Sequence, residues 1–107
     1  MKTSSALRFL PQAKLPAGFR AAGIVAGLKA SGKPDMAMIF SDSAAVLAGT
    51  FTTNQVKAAA VRLDAARVAN LGAAHGIVVN SGQANACTGK AGLRDARAMA
   101  AHAARQL

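Results

Sequence analysis

The stretch Gly76-Ile77-Val78-Val79-Asn80-Ser81-Gly82-Gln83-Ala84-Asn85-Ala86-Cys87-Thr88-Gly89-Lys90 decides the fold class. Three large aliphatics, bounded by a glycine and a turn, read as a strand over Gly76 to Asn80. Small polar residues and glycines dominate Ser81 to Gly89 and exclude regular structure throughout it. From Lys90 or Gly92 onward the apolar period becomes helical. Leu93, Ala96, Ala100, Ala103 and Leu107 share one face, while Arg94, Arg97, Ala101 and Arg105 cover much of the other. Strand, small-residue loop and helix in succession give a chain of mixed α and β class.

Upstream, residues 1–16 read as an irregular arm, because Pro11 and Pro16 oppose regular structure. Ile24 to Lys29 reads as a short strand and Ser31 to Asp35 as a turn. Met36 to Phe40 reads as a strand buried on both faces, broken by Ser41-Asp42-Ser43. A second run, Ala45 to Thr53, is rich in β-branched and aromatic residues at its end, so the two runs suggest an antiparallel hairpin. Ala58 to Leu63 is a third strand candidate, and Asp64 is a candidate N-cap for a short helix to Leu71. The expected fold class is α/β (α+β), with mainly antiparallel strands and a C-terminal helix.

The 107 residues allow one domain, and 52% hydrophobic content excludes disorder along the whole chain. Alanine dominates that fraction, with four Phe and no Trp or Tyr, so the core is expected to need completion from outside this chain. Net charge is +9, from 13 Lys and Arg against 4 acidic residues. Such a balance raises nucleic acid or an anionic membrane as partner. The cations are scattered singly, with no aromatic interleaving for base stacking, so neither partner is expected. A single cysteine excludes an internal disulfide and any Cys-pair zinc site within one copy. The longest apolar run, Ala21 to Leu28, falls far short of the roughly 20 residues of a membrane span. A reducing cytoplasm is the default compartment.

The loop before the helix carries the candidate chemistry. A phosphate P-loop needs four residues between its first glycine and Gly-Lys. Gly82 to Gly89 leaves six, and Ala91 follows Lys90, so that reading fails. A nucleophile elbow fails as well, since Val79 and Gln83 flank Ser81 where glycines are required. Cys87 with His75 or His102 would make a thiol–imidazole pair, but no acid stands ready to orient either histidine, and a small buried cysteine is the favoured reading. An anion-stabilising element survives: the Thr88 hydroxyl and the Gly89 N–H aimed at a developing oxyanion. A purely structural tight turn competes with it.

Val78-Val79-Asn80-Ser81-Gly82-Gln83-Ala84-Asn85-Ala86-Cys87-Thr88-Gly89-Lys90-Ala91-Gly92 resembles the signature of the arginine-biosynthesis ornithine acetyltransferases, the ArgJ family. Gly18-Phe19-Arg20-Ala21-Ala22-Gly23, Gly27-Leu28-Lys29, Lys33-Pro34-Asp35 and Thr50-Phe51-Thr52-Thr53-Asn54 match upstream in the family's order. The resemblance covers essentially Pro16 to Leu107, with residues 17–107 as the matching part of one domain.

The resemblance implies a DmpA/ArgJ-like sandwich of helices on two β-sheets, of which this piece supplies part. It implies a precursor that cleaves itself before a threonine, whose new α-amino group is the base for its own hydroxyl. That threonine takes acetyl from N-acetylornithine and passes it to glutamate; some members also accept acetyl-CoA. The family's oxyanion pair falls on Thr88 and Gly89. A Thr-Gly-x-x-Gly stretch ending just before the catalytic threonine does not occur here, and Thr50, Thr52 and Thr53 lack that context. The chain therefore resembles the N-terminal part of the α-subunit, with its nucleophile elsewhere, and on its own is expected to be inactive. The implied partners are the remaining α-segment and the β-subunit in an α2β2 assembly, with no cofactor and no metal. A self-processing aminopeptidase of the same fold and a basic, non-enzymatic binding module are the alternatives.

Overall fold

A computed structural model of the chain describes Gln12 and residues 14–107, so most of the expected N-terminal arm lies outside it. Five elements follow in order: β1 (Phe19–Ile24), β2 (Met36–Val46), α1 (Ala59–Leu71), β3 (Ala73–Asn80) and α2 (Gly89–Arg105). The strands form one antiparallel sheet in the order β1-β2-β3. Ala21, Ile39 and Ile77 line up across it, as do Ala22, Met38 and Val78. The α+β class, the antiparallel pairing and the C-terminal helix all stand.

Several boundaries differ from the sequence reading, each for a physical reason. The first strand is Phe19–Ile24, not Ile24 to Lys29. Its alanines and glycine carry little β propensity, and pairing with β2 along its whole length selects it. Ser41-Asp42-Ser43 does not end β2. The register jumps from Phe40↔Gly76 to Ala45↔Ala74, so the polar run is absorbed as a bulge. The expected hairpin is therefore absent, and the chain leaves the sheet after Val46 instead of continuing as a strand to Thr53. Ala58 to Leu63 is not a strand but the start of α1, and Asp64 lies inside that helix instead of capping it. Alanine, leucine and arginine are strong helix formers, and here they outweigh the local alternation of Val61 and Leu63. Gly72, at φ +67°, closes α1 in the left-handed conformation that glycine adopts freely.

Both helices lie over one face of the sheet. Among the described residues, what the helices bury is small: Ala59 of α1 and Gly92 and Ala96 of α2. Between the helices and the sheet lies a cavity of about 950 Å³, lined by Met38, Phe40, Phe51, Leu63, Val68 and Met99 among others. Among the described residues no large side chain is fully buried. Met36 to Phe40 is not covered on both faces. Met36, Met38 and Phe40 are half-buried on the helix side. Ile39, Ile77 and Val79, on the opposite face, are 41%, 56% and 51% exposed. Among the described residues no helix is long and apolar enough to cross a membrane.

Asp35 ties one end of the sheet together. Its side chain is buried and accepts hydrogen bonds from the backbone N–H groups of Ala26 (2.6 Å), Leu28 (2.6 Å) and Lys29 (2.9 Å). Its own N–H donates to the Ile24 carbonyl, and its carbonyl accepts from the Ser81 N–H at 2.8 Å. The Ala26 amide, joined by those of Lys29 and Leu28, holds the carboxyl below its ordinary value of 3.8, against the opposing effect of burial.

Two outcomes follow from this packing. Residues 1–107 expressed alone should associate and show no single cooperative urea transition by circular dichroism, because an apolar sheet face stays uncovered. A monomer with one sharp transition would contradict that. In the longer protein that the sequence reading expects, Asp35→Asn should lower Tm at neutral pH. A depressed carboxyl contributes stability that is present above the ordinary value of 3.8 and lost as pH falls through the lower folded value. The Tm gap between parent and variant should therefore narrow below pH 3.8 and stay constant above pH 5.

Candidate active site

The loop leaving β3 starts from a fixed point, since the Ser81 N–H is held by the Asp35 carbonyl. Gly82, at φ +90°, lies under the aliphatic stem of Lys29, where any Cβ would collide with it. Asn80 Nδ2 donates to the Gln83 carbonyl at 3.3 Å. Cys87 then takes φ +56°, the one positive value at a non-glycine position among the described residues. Thr88 follows at φ −103° and ψ 3°, and Gly89 at φ +61°. Successive residues of opposite hand turn their N–H groups toward one side, which makes an anion-binding concavity.

Thr88 occupies the N-cap position of α2, and the first helical bond runs from the Gly92 N–H to its carbonyl at 3.2 Å. A threonine there ordinarily accepts a hydrogen bond from an amide of the first turn. Here its side chain makes no such bond. Its hydroxyl instead donates to Asn85 Oδ1, while Asn85 Nδ2 donates to the Gly92 carbonyl at 2.8 Å. The first amides of α2 are left without a side-chain cap at the positive end of the helix dipole. Gly92 makes the arrangement sterically feasible: a Cβ there would overlap both the Thr88 hydroxyl and Asn85 Oδ1.

Thr88 and Gly89, the two residues the sequence singled out, open together onto a pocket of about 190 Å³. Gln55, Val56 and Lys57 form one wall, Ala59 and Arg62 of α1 another, and Leu93 the side toward α2. The wall before α1 is shaped by two local turns: Asn54 N–H to Thr52 Oγ1 at 3.2 Å and Val56 N–H to Asn54 Oδ1 at 2.9 Å. The main-chain carbonyl of Asn85 accepts from the Ala59 N–H at 3.1 Å, so the start of α1 is tied to the same loop. The pocket's charged lining is Lys57 and Arg62, with no acidic residue. Two positive side chains therefore share the pocket with Thr88 and Gly89.

Cys87 was expected to be small, buried packing. It is exposed and lines the pocket beside Thr88. The histidines stand elsewhere. His75 Nδ1 pairs with the Ser41 carbonyl at 3.1 Å, and its ring stacks on Phe40 near the start of β3. His102 lies in the last turn of α2, about 20 Å along the helix from Cys87 at 1.5 Å rise per residue. No thiol–imidazole pair is formed. Sequence reasoning passed over Asn85 and Gly92, although both sit inside the recognised stretch; the Asn-x-x-Thr-x-x-x-Gly spacing was the available signal.

The model of the ArgJ family matches residues 20–107. The chain belongs to the ArgJ family. It is 57% identical over 83 residues to an arginine biosynthesis bifunctional protein ArgJ of Parasynechococcus marenigrum, covering 77% of this chain and 20% of that protein. The counterpart from Mycolicibacterium paratuberculosis is 55% identical over 86 residues, 79% of this chain and 21% of the relative. Among solved structures, ornithine acetyltransferase from Mycobacterium tuberculosis, complexed with ornithine, superposes with a TM-score of 0.71 at 52% identity. That match covers 78% of this chain and 43% of the other. The bifunctional ArgJ protein of Bacillus halodurans gives a TM-score of 0.74 at 42% identity, over 79% and 44% of the two chains. The chain thus spans about a fifth of the length of the curated relatives it matches.

The left-handed backbone at Cys87 sets a test of the loop. At the length of those relatives, Cys87→Gly should leave stability within about 1 kcal/mol, because glycine meets no Cβ penalty there. Cys87→Val should lower the unfolding free energy by roughly 1–2 kcal/mol, as a β-branched residue is least suited to positive φ. Chemical denaturation of the two variants separates these outcomes.

Proposed function

We propose that this chain is part of an enzyme that transfers acetyl from N-acetylornithine to glutamate in the cytoplasm, and that Thr88 and Gly89 form its oxyanion hole. One observation carries the reading: Thr88 stands at a helix start without capping it, and it lines an open, positively charged pocket between two residues of opposite hand. The family membership supplies the reaction class.

In this reading the nucleophile is a threonine of the remaining protein. Its hydroxyl oxygen adds to the acetyl carbonyl carbon while its own α-amino group takes the proton. The carbonyl electron pair moves onto oxygen, where the Thr88 hydroxyl and the Gly89 N–H would receive it. Collapse expels the ornithine amine, which takes up the proton, and leaves acetyl-threonine for attack by the glutamate amine. Lys57 and Arg62 favour the anionic intermediate and the carboxylates of both substrates. Acetyl-CoA is an alternative acetyl source in the same scheme. The uncovered sheet face and the gap under the helices support a partner surface from the rest of the α-segment and the β-subunit, in an α2β2 assembly. Without a nucleophile, residues 1–107 alone form no acyl-enzyme.

Thr88→Ala in full-length ArgJ tests this. Losing one oxyanion donor costs about 2.7–4 kcal/mol in comparable sites, so turnover should fall by roughly two to three orders of magnitude. Binding of N-acetylornithine should change little, because the donated bond is made to charge that develops only in the transition state. Near-normal turnover would remove Thr88 from the chemistry.

A further inference from the structure

The Thr88 hydroxyl has one hydrogen to give, and in the free site it is given to Asn85. The direction of that bond is fixed from outside the pair. The Gly92 carbonyl only accepts, so the Asn85 atom 2.8 Å from it is Nδ2, and the atom left facing Thr88 is the acceptor Oδ1. The asparagine cannot swing away freely either. Its main-chain carbonyl holds the first amide of α1, and its side chain is wedged against Gly92, where a Cβ would overlap both Oδ1 and the Thr88 hydroxyl.

We propose that Asn85 is a positioning residue that reserves the Thr88 hydroxyl for the transition state; this rests on the oxyanion reading above. A neutral substrate carbonyl offers Thr88 a bond no better than the one it already has with Asn85. An oxyanion offers a charge-assisted bond roughly twice as strong. The hydroxyl hydrogen therefore turns from Asn85 to the substrate only as negative charge develops. Thr88 then adds nothing to ground-state binding and gives the transition state the excess of the charge-assisted bond over the one it leaves at Asn85, which is the partition that raises kcat instead of lowering KM.

The consequence is an unusual mutant signature. In full-length ArgJ, Asn85→Ala frees the hydroxyl to bond the substrate carbonyl before reaction. The Kd for N-acetylornithine should fall by about three- to tenfold, the equivalent of one neutral hydrogen bond. The single-turnover rate of acetyl transfer at saturating substrate should fall by a similar factor, leaving their ratio within about twofold. Thr88→Ala and the double variant complete the cycle. With Thr88 absent, adding Asn85→Ala should move neither Kd nor rate by more than about twofold. A raised Kd in Asn85→Ala, or a further rate loss in the double variant, would mean that Asn85 only shapes the loop and would overturn the inference alone. A normal rate in Thr88→Ala would overturn the oxyanion reading and this inference with it.

Discussion

A carboxylate taken out of water must find donors, and Asp35 finds three backbone amides in one short loop. That requirement fixes the conformation of residues 26–29 and, through the main chain of the same residue, the mutual position of all three strands. Its N–H reaches the end of β1 and its carbonyl reaches the residue after β3. Lys33-Pro34-Asp35 thus does more than turn the chain. The proline sets an extended entry, and the aspartate anchors the sheet at the end from which the Thr88 loop departs. Loss of the charge would weaken all three bonds at once, since a neutral carboxyl or amide keeps only one strong acceptor oxygen where the carboxylate had two.

The loop uses the same economy of means. Asn85, Thr88 and Gly92 bond or touch each other within an eight-residue window. Their geometry therefore depends little on distant packing. Asn85 adds the one tertiary link, to the first amide of α1, and so carries Lys57 and Arg62 into register with Gly89. Small residues are required throughout. Ala59 and Ala96 are the small buried positions of the two helices, and Gly92 leaves room for the Asn85–Thr88 bond. The alanine content that makes the core thin is what brings the pocket walls together.

The sequence was legible where one signal dominated. Ile77-Val78-Val79 has no competing reading, and the helical stripe from Leu93 to Leu107 persists over four turns; both elements are found where the pattern placed them. It failed where two signals conflicted. Ala58 to Leu63 alternates like a strand yet consists of helix formers, and propensity won. Ser41-Asp42-Ser43 looks like a break, and only the partner strand reveals it as a bulge. Thr88 and Gly89 were visible as the hinge between strand and helix. The part of Asn85 was not, because a hydrogen bond to the Gly92 carbonyl is a fact of the folded loop. Cys87 misled for a related reason: burial preference says nothing of a backbone angle that turns the residue outward.

These observations separate two kinds of constraint in one short chain. The layers are weakly held: the sheet shows aliphatics on one face and encloses a cavity of about 950 Å³ on the other. The site, by contrast, is specified by bonds between near neighbours and by one buried carboxylate. A loop built this way tolerates small shifts of the surrounding layers, because its bonded residues move as one body. On the proposed reading, what distant packing must still deliver is the reacting threonine, one side chain brought to the open side of the pocket. The division of labour explains why the most specific sequence in the chain lies in its least regular segment.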